Sequence, residues 1–419
     1  MDTAVALPST ATTTVPAIAT GRPRRLTGVF GPPRGTVMPE RLTALELGGI
    51  FGLLAVWRVA ILGVSVVWAR LGVVNAWPAD VVVLRFLRYS VRWDAGWYLS
   101  IVRVGYEYKP DHSTSVAFFP LFPVLIGVAD RVLPGGDVLA ALVVVHLALA
   151  AAAVYIYQLI KLDYGASVAW RTLFFVLVFP GAFFYSAVYA ESLLLLGLAG
   201  SLYHARRGQW LRAGLFGVVA SATKLVGLLI PLVLLVELVS QRQLAFRKPR
   251  LRPLLALVLA PLGGLAYFAY LQLRYGDFRV FFHAENTWHR NPGHPVFLMG
   301  VNRLLGNTSD LIYYPATSTP LRSLFLLSDT TLLWIFLAVG VYLWLRVRPS
   351  YGALVLAFAL VPAFSGSPQS LNRYLAVLFP AFILLGRVKS EALRSAITVT
   401  FTMGLALTTY LFVQGHWAG

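Results

Sequence analysis

Cysteine is absent from all 419 residues, which excludes disulfides, thiolate nucleophiles and Cys-ligated zinc while leaving the compartment open. Charge is scarce as well: 12% of the residues are charged, against about a quarter in ordinary soluble domains. Acids are the scarcer sign, 17 Asp and Glu against 35 Lys and Arg, for a formal net charge of +18. Apolar residues take their place. With 58% hydrophobic residues and a mean hydropathy of +0.72, the sequence is that of a polytopic membrane protein and excludes a soluble globule. The positive excess does not point to nucleic acid, because most basic residues fall in short gaps between apolar runs, where they set topology against anionic lipid.

Residues 1–41 are rich in Thr, Ala, Pro and Gly and carry Arg22, Arg24, Arg25 and Arg34. They contain no apolar core of about 7 to 15 residues ahead of a small-residue cleavage site, so a disordered basic tail in the cytoplasm is expected. Residues 42–419 then form the integral membrane domain. A spanning helix needs about 20 apolar residues. Segments of that kind, some of them short, lie near 45–69, 138–160, 168–187, 188–204, 211–223, 225–240, 251–273, 323–345, 351–364, 373–387 and 394–413. The expected fold is an all-α bundle of about eleven transmembrane helices.

Basic clusters orient this bundle: Arg206, Arg207 and Arg212; Arg242, Arg247, Lys248, Arg250 and Arg252; Arg346 and Arg348; Arg387, Lys389 and Arg394. All are expected at the cytoplasmic face with the amino-terminal tail. If Lys161 and Arg171 flank a cytoplasmic turn, the stretch around Pro120 and Pro123 is not a full crossing but a re-entrant or interfacial element. Large outer loops are then expected at 70–137, with short interfacial helices, and at 274–322. This topology puts Asp94, Glu191, Lys224 and the SPQSLNRY stretch at one outer face, with the carboxyl terminus outside. Few lysines against many arginines, with abundant Ala and Leu, suggest a high-GC genome and hence a bacterial plasma membrane.

Chemistry concentrates after the first apolar segment. Asp94 lies among Trp93, Trp97, Tyr98 and Tyr106, aromatic side chains that stack on sugar rings and also settle at headgroup depth. A lone acid in a partly dehydrated aromatic pocket suits a general base for sugar transfer; the plainer alternative is a helix-capping acid paired with Arg92. Glu191 opens an apolar run, where a carboxylate is costly unless partnered. Lys224 interrupts another, either snorkelling to the interface or holding an anion inside the bundle. Arg373 and Tyr374 open a third, and a planar guanidinium there serves as an interfacial anchor or as a bidentate phosphate ligand. The loop HAENTWHRNPGH contains His283, Glu285, His289 and His294, yet no HExxH pair. It reads better as a substrate-facing loop offering Trp288 and Arg290. Without a DxD pair, a metal-independent site is expected, although Glu107 and Asp111 lie close in sequence.

In order along the chain, Trp93, Asp94, Trp97, Tyr98, Ile101, Gly105 and Tyr106, then FFPLFP at 118–123, FPGAFFYSAVYAESL at 179–193, Trp288 with Arg290, SLNRY followed by Phe379 and Pro380, and Trp417 resemble the PIG-V-type mannosyltransferases. The likeness runs through most of 90–419. It implies a GT-C glycosyltransferase bundle using a polyprenyl-phosphate sugar, mannose by family likeness, at the extracytoplasmic face. The sequence departs from the family pattern at Lys224, Glu285 and Lys109. The last two set this sequence apart from members that act on glycosylphosphatidylinositol, and a lipid-linked glycan, a phosphoinositide-type glycolipid and a protein hydroxyl stay open as acceptors.

On that reading Asp94 takes the acceptor proton in a single inverting displacement. Lys224 and Arg373, with Arg290 or Arg92, stabilise the departing phosphate. Two other classes fit the composition: a lipid-glycan transporter or flippase, whose polar groups would reach both faces, and a non-catalytic subunit of a glycan-assembly complex.

Overall fold

The computed structural model describes residues 42–71, 87–241, 251–287, 320–365 and 370–416. All regular structure among these residues is helical. The chain runs α1 (Ala44–Leu71), α2 (Asp94–Val104), α3 (Leu121–Asp130), α4 (Gly136–Tyr164), α5 (Ala166–Val178), α6 (Glu191–Arg206), α7 (Trp210–Thr223) and α8 (Ile230–Ser240). It continues as α9 (Leu251–Leu259), α10 (Leu262–Tyr275), α11 (Val280–Asn286), α12 (Pro320–Arg346), α13 (Pro349–Ala363), α14 (Leu371–Ala376) and α15 (Glu391–Gln414). Five stretches are long and apolar enough to cross a bilayer, namely Ala44–Arg70, Gly136–Tyr164, Leu251–Tyr275, Asp329–Arg346 and Glu391–Gln414. The protein is an integral membrane protein. The tail 1–41 and the greater part of the 274–322 loop, Trp288 and Arg290 included, lie outside the described residues.

Local chemistry accounts for where the helices begin and stop. A capping box opens α1: the Glu46 amide donates to Thr43 Oγ1 at 3.1 Å and the Thr43 amide to Glu46 Oε2 at 3.0 Å, satisfying two otherwise orphaned donors. Glu46 also accepts from Tyr157 at 2.8 Å and pairs with Lys161 at 2.8 Å, which fastens the start of α1 to the end of α4. Gly165, at φ 83°, closes α4 and opens α5 in one residue, a left-handed position that favours glycine. The single segment expected over 168–187 is divided. Its helix stops at Val178 because Pro180 lacks a donor and biases the residue before it toward extended backbone; Phe179 has ψ 141° and Pro180–Tyr185 continues as a 3-10 turn. The segment expected over 373–387 is likewise not one helix, but α14 followed by short turns at Phe379–Phe382 and Ile383–Gly386. At ten residues α3 is about 15 Å long, half of a hydrocarbon core of about 30 Å.

Small residues let α7, α9 and α10 pack with their backbones in near contact. A Cβ at Gly217 would lie 2.5 Å from Ala260 Cβ, and one at Gly263 would lie 2.4 Å from the Val218 carbonyl. Such close approach is how helices associate where lipid and side chains are equally apolar.

At the end of the bundle where α4, α6 and α8 finish and α13 begins, Asp163, Arg206, Glu237 and Arg348 form a buried cluster. Arg206 pairs with Asp163, and Arg348 lies 3.0 Å from Glu237. Ser350 and Gln241 donate to Glu237 at 2.5 and 2.7 Å, and Tyr351 donates to Asp163. Two arginines expected to face lipid headgroups, Arg206 and Arg348, are therefore buried at 5% and 11% side-chain exposure. The acids that draw them inward come from other helices, so the basic runs alone gave no sign of it. Removing one member of a buried charge set strands the others. Glu237→Ala is expected to lower stability by about 3 to 5 kcal/mol, checked by thermal unfolding of the purified protein.

Candidate active site

The residue that opens the site is held in a strained turn. Trp93 has φ 56° and ψ −117°, and the Ala95 amide donates to the Arg92 carbonyl at 3.2 Å. This is the geometry of a II′ turn with tryptophan where glycine is usual. The turn makes Asp94 the first residue of α2, where a carboxylate is favoured by the exposed backbone amides. Ser370, at φ 75°, plays the same part ahead of α14, which carries Arg373 and Tyr374. Both strained residues line one pocket of about 490 Å³, as strain retained at functional sites tends to do.

Asp94 and Arg373, 279 positions apart, meet across this pocket: Arg373 Nη1 donates to Asp94 Oδ2 at 2.5 Å. Behind them, Glu191 at the head of α6 accepts from Lys224 Nζ at 2.5 Å and lies 3.7 Å from Arg373 Nε. Lys224 reaches this position because the helix breaks there. Its backbone is extended, at φ −154° and ψ 152°, between α7 and the 3-10 turn Leu225–Leu229. Gly227 makes the break compact, since a Cβ there would stand 2.1 Å from the Ala220 carbonyl oxygen. Glu191 is 1% exposed and Arg373 4%, against 14% for both Lys224 and Asp94.

Aromatic rings hold these charges in place. Arg373 lies 5.3 Å from the Tyr189 ring centre and 5.4 Å from that of Tyr374, and Lys224 lies 4.9 Å from the Tyr374 ring centre, each a cation–π distance. The FPGAFFYSAVYAES stretch is their bed. Tyr185 donates to the Ala376 carbonyl at 2.6 Å, Tyr189 to the Arg92 carbonyl at 3.1 Å, and a Cβ on Gly181 would lie 2.4 Å from the Asn372 carbonyl oxygen. One segment thus fixes both the turn before Asp94 and the helix bearing Arg373. On the facing wall Trp97 stacks on Phe118, centres 6.0 Å apart, and Tyr98 meets Phe118 and Phe122 edge-on. Burial, with the charges of Glu191 and Asp94 adding to it, pushes the Tyr98 hydroxyl well above its ordinary value, so it remains protonated and offers a hydrogen rather than a base.

Of the residues singled out in the sequence, Trp93, Asp94, Trp97, Tyr98, Lys224, Arg373 and Tyr374 line the pocket together. Glu191 does not face it but supports its two cations from behind. Arg92 points away, donating to the Val413 carbonyl at 2.9 Å. Tyr106 is also off the wall, donating to the Phe118 carbonyl at 2.7 Å and packing on Tyr267 and Tyr270. Trp288 and Arg290 are outside the described residues. Sequence reasoning passed over Thr223, Phe281 and Thr287 on the same wall, quoted Phe119 and Ser370 only within the FFPLFP and SLNRY motifs, and gave Glu285 no role there. Small hydroxyls and ordinary core phenylalanines carry no pattern that separates them from the rest. No cluster of three or more metal-ligating side chains occurs among the described residues.

The family model described as Mannosyltransferase (PIG-V) matches residues 56–269, just over half of the chain and inclusive of Asp94, Glu191 and Lys224. No curated protein matches. Among solved structures, ArnT from Cupriavidus metallidurans bound to undecaprenyl phosphate is 16% identical, covering 88% of this chain and 73% of its own, with a TM-score of 0.46. The Archaeoglobus fulgidus oligosaccharyltransferase in its apo form is 14% identical, covering 87% and 56%, with a TM-score of 0.43.

The strained turn makes an opposed prediction for folding and function. Trp93→Gly is expected to leave the protein at least as stable, gaining up to about 1 kcal/mol from relief of the positive φ, while weakening binding of any ligand that contacts this half-exposed ring in the pocket. Thermal unfolding and a ligand titration on the same sample check the two halves.

Proposed function

Because the chain belongs to the mannosyltransferase (PIG-V) family and is a membrane-embedded glycosyltransferase, we propose that it transfers mannose from a polyprenyl-phosphate donor to a glycolipid or glycan acceptor, with inversion, in a GT-C-type site at the extracytoplasmic face of a bacterial plasma membrane. The observation that carries this reading is the convergence of Asp94, Lys224 and Arg373, from three distant parts of the chain, on a single aromatic pocket.

The chemistry follows from the donor. Asp94 accepts the acceptor's hydroxyl proton as that oxygen bonds to the anomeric carbon. The bond from that carbon to the phosphate oxygen breaks on the opposite side, and its electron pair leaves with the polyprenyl phosphate. The leaving group gains negative charge and needs cations more than a strong acid. Lys224 and Arg373 supply them, the guanidinium by its planar fork and the ammonium as a point charge. Glu191 is a positioning residue that holds both cations without touching substrate. Trp93, Trp97 and Tyr98 present ring faces and one protonated hydroxyl to the sugar. Four side chains in a neutral set, two acids and two cations, supply these roles without a metal ion.

Asp94, the base, and Arg373, one of the phosphate ligands, are paired with each other. A donor phosphate competes with Asp94 for Arg373, so donor binding frees the carboxylate to act. The two substrates then bind in order, donor first.

Asp94→Asn is expected to lower turnover by about 10²- to 10⁴-fold with the fold intact, measured with purified protein and synthetic donor; turnover near wild type would remove Asp94 from the mechanism. Lys224→Ala and Arg373→Ala are expected to raise the apparent donor KM by about tenfold or more each. An unchanged donor KM in both would remove them from donor binding.

A further inference from the structure

A second concavity lies at the other end of α5 from the active-site bed, between α1, α5 and α15. It encloses about 630 Å³ and is lined by Leu53, Trp170, Arg171, Phe174, Arg394 and Thr398, among others. Its wall is built rather than incidental. Trp170 packs against α1 where it carries no side chain, since a Cβ on Gly49 would lie 2.9 Å from the indole, and its ring centre is 4.8 Å from that of Tyr157.

Polar and apolar groups are ordered along the groove. Arg171 and Arg394 stand near the starts of α5 and α15, whereas Phe174 and Thr398 stand one turn further in. Cations at a mouth and an apolar floor leading away match a charged headgroup followed by an acyl chain. The charge is open to an outside partner. Among the described residues Arg171 has no ion pair, and Arg394 has only Glu391 at 3.7 Å, a side chain 87% exposed. Lys161, Arg387 and Lys389 sit at the same helix ends, and by the positive-inside rule such an end faces the cytoplasmic leaflet, whose surface is anionic.

We propose that this groove is a binding site for an anionic phospholipid of the cytoplasmic leaflet, its phosphate held by Arg171 and Arg394 and one acyl chain lying along Leu53, Trp170 and Phe174. The site is independent of the catalytic pocket and of its donor. Two guanidinium groups give it a bidentate preference for phosphate oxygens, and zwitterionic lipid gains less because its own cation opposes theirs.

Delipidated protein in neutral detergent, titrated with phosphatidylglycerol, with phosphatidylcholine of the same acyl chains and with inorganic phosphate, tests the assignment by native mass spectrometry. Phosphatidylglycerol is expected to be retained at concentrations at least about tenfold below phosphatidylcholine, with inorganic phosphate unable to displace it. The double variant R171Q/R394Q is expected to abolish that preference, and R171K/R394K to keep part of it. Equal retention of the two lipids by the wild type, displacement by inorganic phosphate, or an unaltered preference in R171Q/R394Q would overturn the proposal. The wild-type comparison and the lysine variant decide it even if the glutamine variant fails to fold.

Discussion

The site depends on a row of alternating charges, Asp94, Arg373, Glu191 and Lys224, each within ion-pair distance of the next. None of the four is tolerable alone in an apolar bundle, where an isolated charge costs several kcal/mol. Together they are neutral, and each satisfies part of its neighbour's demand. This mutual dependence explains why residues from α2, α6, α14 and the break after α7 can share one buried place.

The rest of the fold serves that row. The 3-10 bed at Pro180–Tyr185 and the Tyr189 hydroxyl tie the Asp94 turn to the Arg373 helix. The α7 break depends on Gly227, and α7 itself is held by close packing on Ala256, Ala260 and Gly263. At the opposite end of α6 from the pocket, the Asp163, Arg206, Glu237 and Arg348 cluster pins the ends of α4, α6 and α8 and the start of α13, so that the start of α6, bearing Glu191, and the start of α8, which follows Lys224, keep their spacing. A second buried neutral set therefore stabilises the frame that positions the first.

Several of these features were legible in the sequence for physical reasons. Apolar length announced the long helices, and a lysine inside an apolar run announced the break at Lys224, because burying an ammonium without purpose is costly. Aromatic neighbours marked out Asp94. What stayed hidden depended on partners remote in the chain. Arg92 and Tyr106 belong to the right segment, yet they reach the carbonyls of Val413 and Phe118 and not the pocket. Arg206 and Arg348 looked like lipid-facing charges until the acids of other helices were seen beside them. Pro180 was visible, but hydropathy outweighed it, and an apolar stretch that is a turn-rich bed was read as the end of a spanning helix.

The central claim is that Asp94 and the two cations act on one bound donor. The most direct measurement incubates purified protein with polyprenyl-phosphate mannose and no acceptor, following release of free mannose. Water then stands in for the acceptor hydroxyl, so slow hydrolysis is predicted that falls in Asp94→Asn and requires higher donor concentrations in Lys224→Ala and Arg373→Ala. Hydrolysis equal in all four proteins, or absent from the wild type while the donor demonstrably binds, would contradict the account.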